Sequence, residues 1–365
     1  MRRTSQVDSC LRTIVVIVAC LSSGCSIHPV QMVVVNGERL EDRADIRLIK
    51  PNDEGHSVED ISNGNWNNGG RLSEDRGQGI RCLVRYHPSY SQNHWMVVEG
   101  TVGSGRKYPV VLDTGASPAL FVNDIHIMEN NLAIRPLSNN NNDSTGWGIC
   151  HLPKLRIGNV TFADWPCFYR EQHTEVQVFG LSVRKDKAII AGLPALRRFK
   201  YVEFDSVNKE VEFSLENIFE PEQSDLWKQY AFVIEEYLGG NAFLFVKLPI
   251  AGEETELQLD TGSGRGLAIS QELWEGMHER VRNAKLRKSV ELYPYIGRLV
   301  CKQGAIGELE VGDRIIRDAK ISVFPNDSLL LENCEGMLGM QYFQDTVIVL
   351  DFERNLMWVK NQPSR

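Results

Sequence analysis

The chain has no basic surplus. Lys and Arg number 40 against 48 Asp and Glu, which gives a net charge of −8 over 365 residues. Phosphate backbones demand clustered cations, so nucleic acid is not an expected partner. No Cys-x-x-Cys pair is present to hold zinc or run disulfide exchange. His278-Glu279 begins like a zinc-peptidase helix, but Arg282 stands where the second His must be. There is no Gly-x-Ser-x-Gly nucleophile elbow. Gly262-Ser263-Gly264-Arg265-Gly266 lacks the glycine spacing of a dinucleotide loop, and the scattered His residues have no metal-ligand spacing. No metal and no cofactor is therefore expected. What remains is 42% hydrophobic and 24% charged, the composition of a globular chain, and long enough for two or three domains.

Apolar runs long enough for a bilayer core, about 20 residues, are also missing. The run Ile14 to Leu21 is too short to span but follows Arg2, Arg3 and Arg12, the pattern of an export signal. Leu21-Ser22-Ser23-Gly24-Cys25 resembles the lipobox of bacterial lipoproteins. The expectation is that residues 1–24 are a lipoprotein-type signal peptide and Cys25 carries a lipid anchor to a membrane of the cell envelope, facing the periplasm or exterior. Removing 1–24 takes away three Arg and one Asp and leaves a net charge of −10, so membrane contact falls to Cys25 rather than to the domain surface. Residues 25–79 are polar and rich in turn formers, as in Asn63-Gly64-Asn65-Trp66-Asn67-Asn68-Gly69-Gly70, and only Met32 to Val35 looks strand-like. They read as a largely irregular spacer. Five Cys remain beyond Cys25, and sequence assigns no pairing among them.

Beyond the spacer the chain repeats itself. Val110-Val111-Leu112-Asp113-Thr114-Gly115-Ala116-Ser117 recurs as Leu257-Gln258-Leu259-Asp260-Thr261-Gly262-Ser263-Gly264. Leu155-Arg156-Ile157-Gly158 is echoed by Leu309-Glu310-Val311-Gly312, and Ile189-Ile190-Ala191-Gly192 by Gly336-Met337-Leu338-Gly339. Asp113 lies 79 residues before Gly192, and Asp260 lies 79 before Gly339. Chance does not produce paired landmarks at one distance. The chain therefore divides into two homologous β-rich lobes, 80–217 and 229–361, joined by a linker at 218–228. A short helix is expected after each Asp-Thr-Gly, capped by Asn123 in one lobe and Ser270 in the other.

These paired motifs resemble the aspartic proteases of the pepsin and retropepsin group, over about 270 residues. The resemblance implies an all-β fold of two retropepsin-like barrel lobes with the active site between them, and an aspartic endopeptidase. Asp113 and Asp260 would form the catalytic dyad. Thr114 and Thr261 would bond across the interface, and Gly115, Gly262 and Ser263 would support the catalytic loops, with Gly192 and Gly339 packed behind them. Two adjacent carboxyl groups cannot both ionise, so one would act as base on a water and the other as acid. Ala116 departs from the hydroxyl residue that pepsin-like enzymes tend to carry there. A missing hydroxyl donor leaves the carboxylate less stabilised, so the optimum is expected to be less acidic than pepsin's.

In this family a hairpin flap covers the cleft. The candidates are Ser144 to Ile149, with Trp147, and Leu292 to Gly297, with Tyr295. Because both half-sites share one chain, the expected state is a monomer acting on a peptide or protein. The rival reading is a catalytically silent peptide-binding protein; a lost Asp or Gly in one loop would support it, and neither is lost.

Overall fold

The computed structural model describes residues 30–35, 43, 46–48, 71–74, 81–87, 95–103, 105–138, 144–171, 173–178, 181–237, 242–250, 252–277, 285–293, 296–332 and 334–360. Residues 1–24, expected to be a signal peptide, and Cys25, the Asn139 to Asn142 run, His278, Glu279, Arg282 and Tyr295 lie outside them.

The two lobes repeat strand by strand. In the first, Val97–Val102 pairs antiparallel with Arg106–Asp113. Ile189–Gly192 then runs parallel to Arg106–Asp113, and Leu120–Asn123 runs antiparallel to Ile189–Gly192 and parallel to Val160–Arg170. In the second, Ala242–Ile250 pairs with Glu253–Asp260, Gly336–Gly339 lies parallel to it, and Leu267–Ser270 bridges Gly336–Gly339 to Arg314–Phe324 in the same senses. The shared spacing has its cause here: the parallel registers place Gly192 opposite Asp113 and Gly339 opposite Asp260. Val110 and Leu112 face the main core while Val111 faces a separate apolar cluster, which is why the sequence ahead of Asp113 is a continuous apolar run rather than an alternating one. The expectation of an all-β chain built of two homologous lobes holds.

The strand pair closing each copy does more than close it. Tyr201–Asp205 hydrogen-bonds Val347–Asp351, from Tyr201 opposite Asp351 to Asp205 opposite Val347, so one sheet runs from the first copy into the second. Glu210–Ser214 extends it on one side to Arg81–Arg85. This fixes how the two halves meet and hence the width of the cleft between the two Asp loops. One contiguous core, including Phe204, Leu244, Ile348 and Leu350, lines both halves.

Each expected helix is present. Asp124–Asn130 starts at Asn123, whose side chain accepts from Ile125 N–H at 3.1 Å, while His126 Nδ1 accepts from Asn123 N–H. Asn131 ends it in a left-handed conformation, φ 50°. Gln271–Gly276 starts at Ser270, whose Oγ accepts from Leu273 N–H at 3.0 Å.

The described part of 25–79 is not irregular. Val30–Val35 pairs with His173–Val178, Arg47–Leu48 with Ala133–Ser138, and Arg71–Glu74 with Val160–Arg170. Met32 to Val35 was expected as a strand; composition concealed the other two because edge strands are held by main-chain bonds and need little apolar side-chain area. Arg71 shows the mode: its carbonyl accepts from Trp165 Nε1 at 3.1 Å while its exposed guanidinium meets Asp164 at 2.7 Å. Cys82, Cys150, Cys167, Cys301 and Cys334 are free thiols, with Cys150 and Cys167 directly opposed across two strands. No helix among the described residues is long and apolar enough to cross a membrane.

Candidate active site

Asp113 and Asp260 end equivalent strands, and each is followed by a tight turn in which Ala116 N–H or Ser263 N–H returns to the Asp carbonyl, at 3.3 and 3.2 Å. The two turns lock together through their threonines. Thr114 Oγ1 donates to Leu259 O at 2.6 Å and accepts from Thr261 N–H at 3.1 Å. Thr261 Oγ1 donates to Leu112 O at 2.7 Å and accepts from Thr114 N–H at 3.0 Å. Both side chains are fully buried, so these four bonds have no water to compete with them.

Gly115 and Gly262 sit under the opposite lobe's carboxyl group. A Cβ on Gly262 would lie 2.2 Å from the Asp113 carboxyl carbon, and one on Gly115 would lie 2.7 Å from that of Asp260. Any side chain there would force the pair apart. Glycine is demanded by approach, not by backbone angle. The same holds behind the loops, where a Cβ on Gly192 would fall 2.0 Å from Pro118 O and one on Gly339 would fall 2.5 Å from Arg265 O. Leu193 N–H donates to Ala116 O and Met340 N–H to Ser263 O, at 3.0 and 2.8 Å, tying each loop to the strand behind it.

The two carboxyl groups differ in environment. Both keep a solvent-facing edge yet are crowded by protein, and that desolvation raises both above the ordinary 3.8. At Asp113 the rise is opposed by a hydrogen bond from Asp260 and by the N–H groups of Gly115, Ala116 and Gly262. At Asp260 the negative charge of Asp113 and the bond to it add to burial, and the group lies well above 3.8. Two carboxyl groups this close share one proton, and the pair titrates as a unit. Asp260 Oδ1 has no hydrogen-bond partner among the described residues. Ser263 Oγ accepts from Arg265 N–H at 3.3 Å.

Trp147 lies in the strand Ser144–Ile157, opposite Leu137 and so near the loop end of the hairpin made with Ala133–Ser138, whose residues 139–143 lie outside the described ones. Its ring packs on Phe168 at 4.9 Å and edge-on to Phe121 at 6.2 Å, with the Arg170 guanidinium 4.6 Å over it. The same apolar cluster takes in Val111, Ile190 and Ala116, so it reaches the Asp113 loop. Among the described residues no group of three His, Cys, Asp or Glu could hold a metal ion.

A second polar centre escaped the sequence. Glu291, buried, accepts from Arg265 at 2.7 Å, Gln303 at 3.0 Å, Tyr293 at 3.1 Å and Ser322. Burial opposes its ionisation, but these bonds outweigh burial and hold it below the usual carboxylate range. No local pattern announces such a centre, because its members come from three strands and the Asp260 loop.

No protein-family model matches the chain, and no curated protein matches it in sequence. Among solved structures, one described as edgp superposes with a TM-score of 0.44 at 11% identity, covering 78% of this chain and 94% of its own. Conglutin gamma, a basic 7S globulin from lupine seeds, gives 0.43 at 12%, covering 80% and 96%. A retropepsin-like aspartic protease from Rickettsia conorii gives 0.26 at 14%, covering 38% of this chain and 93% of its own. At such values none of these likenesses bears on activity.

Proposed function

We propose that the chain is an aspartic-type endopeptidase. One observation carries this reading: two desolvated carboxyl groups, each facing the other loop's glycine. A binding protein has no use for that arrangement, since a desolvated acid pair costs stability. In the reaction, the ionised partner, assigned to Asp113 because its Oδ1 accepts from Gly115 N–H at 2.8 Å, takes a proton from a water as the water oxygen attacks the peptide carbonyl carbon. Asp260 gives its proton to the carbonyl oxygen. As the tetrahedral species collapses, the C–N bond breaks, Asp113 passes its proton to the leaving nitrogen and Asp260 recovers its own. The pair ends as it began, with one proton.

The reading extends to a monomer acting on an extended peptide, with neither metal nor cofactor. It also places the mature chain outside the cytoplasm, anchored by lipid on Cys25; a purified mature protein whose intact mass shows an unmodified N-terminus would refute that part.

The pH dependence follows from the pair. Activity requires one proton on the pair, so it is lost as pH falls below the lower of the pair's two values and again as pH rises past the higher, and burial raises both. The rate should therefore peak above pH ~4, the ordinary carboxylate value. Ala116→Ser, which adds a hydroxyl donor beside Asp113, should shift the acidic limb down by roughly half a unit to one unit. A peak near pH 2, or an unmoved acidic limb in Ala116→Ser, refutes this account of the dyad. Inhibition by a statine-type hydroxyl analogue tests the class, and full resistance to it would speak for the silent binding protein.

A further inference from the structure

The two lobes match in register but not in chemistry. In the first, cross-strand neighbours Ile190, Phe121 and Phe168 form an apolar wall beside the Asp113 loop. The same positions in the second lobe are Met337, Ala268 and Ser322. Replacing Phe168 by Ser322 and Phe121 by Ala268 removes two rings and opens a cavity of about 710 Å³, whose wall begins at Gly264 to Gly266 of the Asp260 loop. A volume of that order accommodates a side chain together with the peptide carrying it.

The cavity is graded. Its floor is the Glu291 centre, where Arg265 is committed twice: Nη1 donates to Glu291 at 2.7 Å and Nη2 to Leu292 O at 2.6 Å, with the guanidinium 4.5 Å over the Tyr293 ring. Glu291 accepts four bonds and offers an incoming group little. The mouth is different. Lys285, Arg287 and Lys320 line it, all exposed, and none has a carboxylate within ion-pair distance among the described residues. Asp318 is the single acid lining the mouth. Three cations against one acid is a local positive field on a chain of net charge −8, set beside a catalytic loop.

We propose that this cavity is a substrate subsite that selects a carboxylate side chain, Asp or Glu, at one fixed position beside the scissile bond. The inference rests on the endopeptidase reading. Lys285, Arg287 and Lys320 attract and hold the carboxylate, while the Arg265–Glu291 pair keeps the floor rigid without competing for it.

The test uses the full chain and sets of fluorescent decapeptides carrying Glu, Gln or Lys at each position in turn. Specificity is read as kcat/KM for the wild type, and binding as anisotropy with Asp113→Asn. One position should favour Glu over Gln by about tenfold, the effect of ~1.4 kcal/mol, in both readouts. The double charge reversal Arg287→Glu with Lys320→Glu should turn that position toward Lys, its melting temperature reporting that it is folded. Independently of any variant, raising NaCl from 0.05 to 0.5 M should collapse the wild-type preference to below about twofold. Cleavage with no position discriminating Glu from Gln, or a preference unmoved by charge reversal and salt, overturns the subsite. Glu-selective binding without cleavage overturns the endopeptidase reading instead and leaves the carboxylate pocket standing.

Discussion

Asp113→Asn and Asp260→Asn are each expected to reduce peptide hydrolysis by at least ~10³-fold. An amide has the shape of the carboxyl group but can neither accept the water's proton at the Asp113 position nor hold the acidic proton at Asp260. Because the pair acts as a unit, the double variant should be about as inactive as either single one. Stability should move the other way. Both carboxyl groups are raised in the fold, so the folded chain binds protons there more tightly than the unfolded chain does, and that stabilisation is lost as pH rises through the folded values. Asn carries no such loss. At pH 7 each variant should melt about 2–4 °C higher than the wild type, and below pH ~3 the difference should vanish. Calorimetry at the two pH values checks the sign, and a variant that melts lower at pH 7 would show that the pair is not desolvated as described.

Thr114→Val and Thr261→Val carry the second large effect. Removing the Thr114 hydroxyl orphans Thr261 N–H and Leu259 O, and removing that of Thr261 orphans Thr114 N–H and Leu112 O. All are buried, so each substitution should cost about 2–5 kcal/mol in urea unfolding, with activity falling as the two loops lose their fixed spacing. Serine keeps the hydroxyl and should recover most of both losses. If valine costs less than about 1 kcal/mol, the four interlobe bonds are not what holds the dyad.

Much of this site was legible in the sequence because its parts obey fixed distances. Asp-Thr-Gly needs a strand before it and a glycine-bearing strand beside it, and the parallel register turns that need into a separation of 79 residues in both lobes. The caps Asn123 and Ser270 were legible for a similar reason, since a helix start must satisfy its first N–H groups locally. Where position is decided by partners far along the chain, the sequence was silent. Arg71–Glu74 forms a strand only because Val160–Arg170 leaves an edge for it. Glu291 becomes a buried anion only because the strands carrying Gln303 and Ser322 and the loop carrying Arg265 converge on it. Trp147 was found as an aromatic near the cleft, but its packing on Phe168 and Phe121 follows from strand pairing with Leu137 and Arg170, which no local pattern encodes.

The central claim is hydrolysis of a peptide bond by water activated between Asp113 and Asp260, and digestion of a denatured protein in H₂¹⁸O, followed by mass spectrometry, tests it most directly. The purified chain at mildly acidic pH should release peptides whose new C-termini carry one ¹⁸O, and Asp113→Asn should release none. Absence of cleavage at every pH from 3 to 8, or labelled cleavage that survives Asp113→Asn, would contradict it.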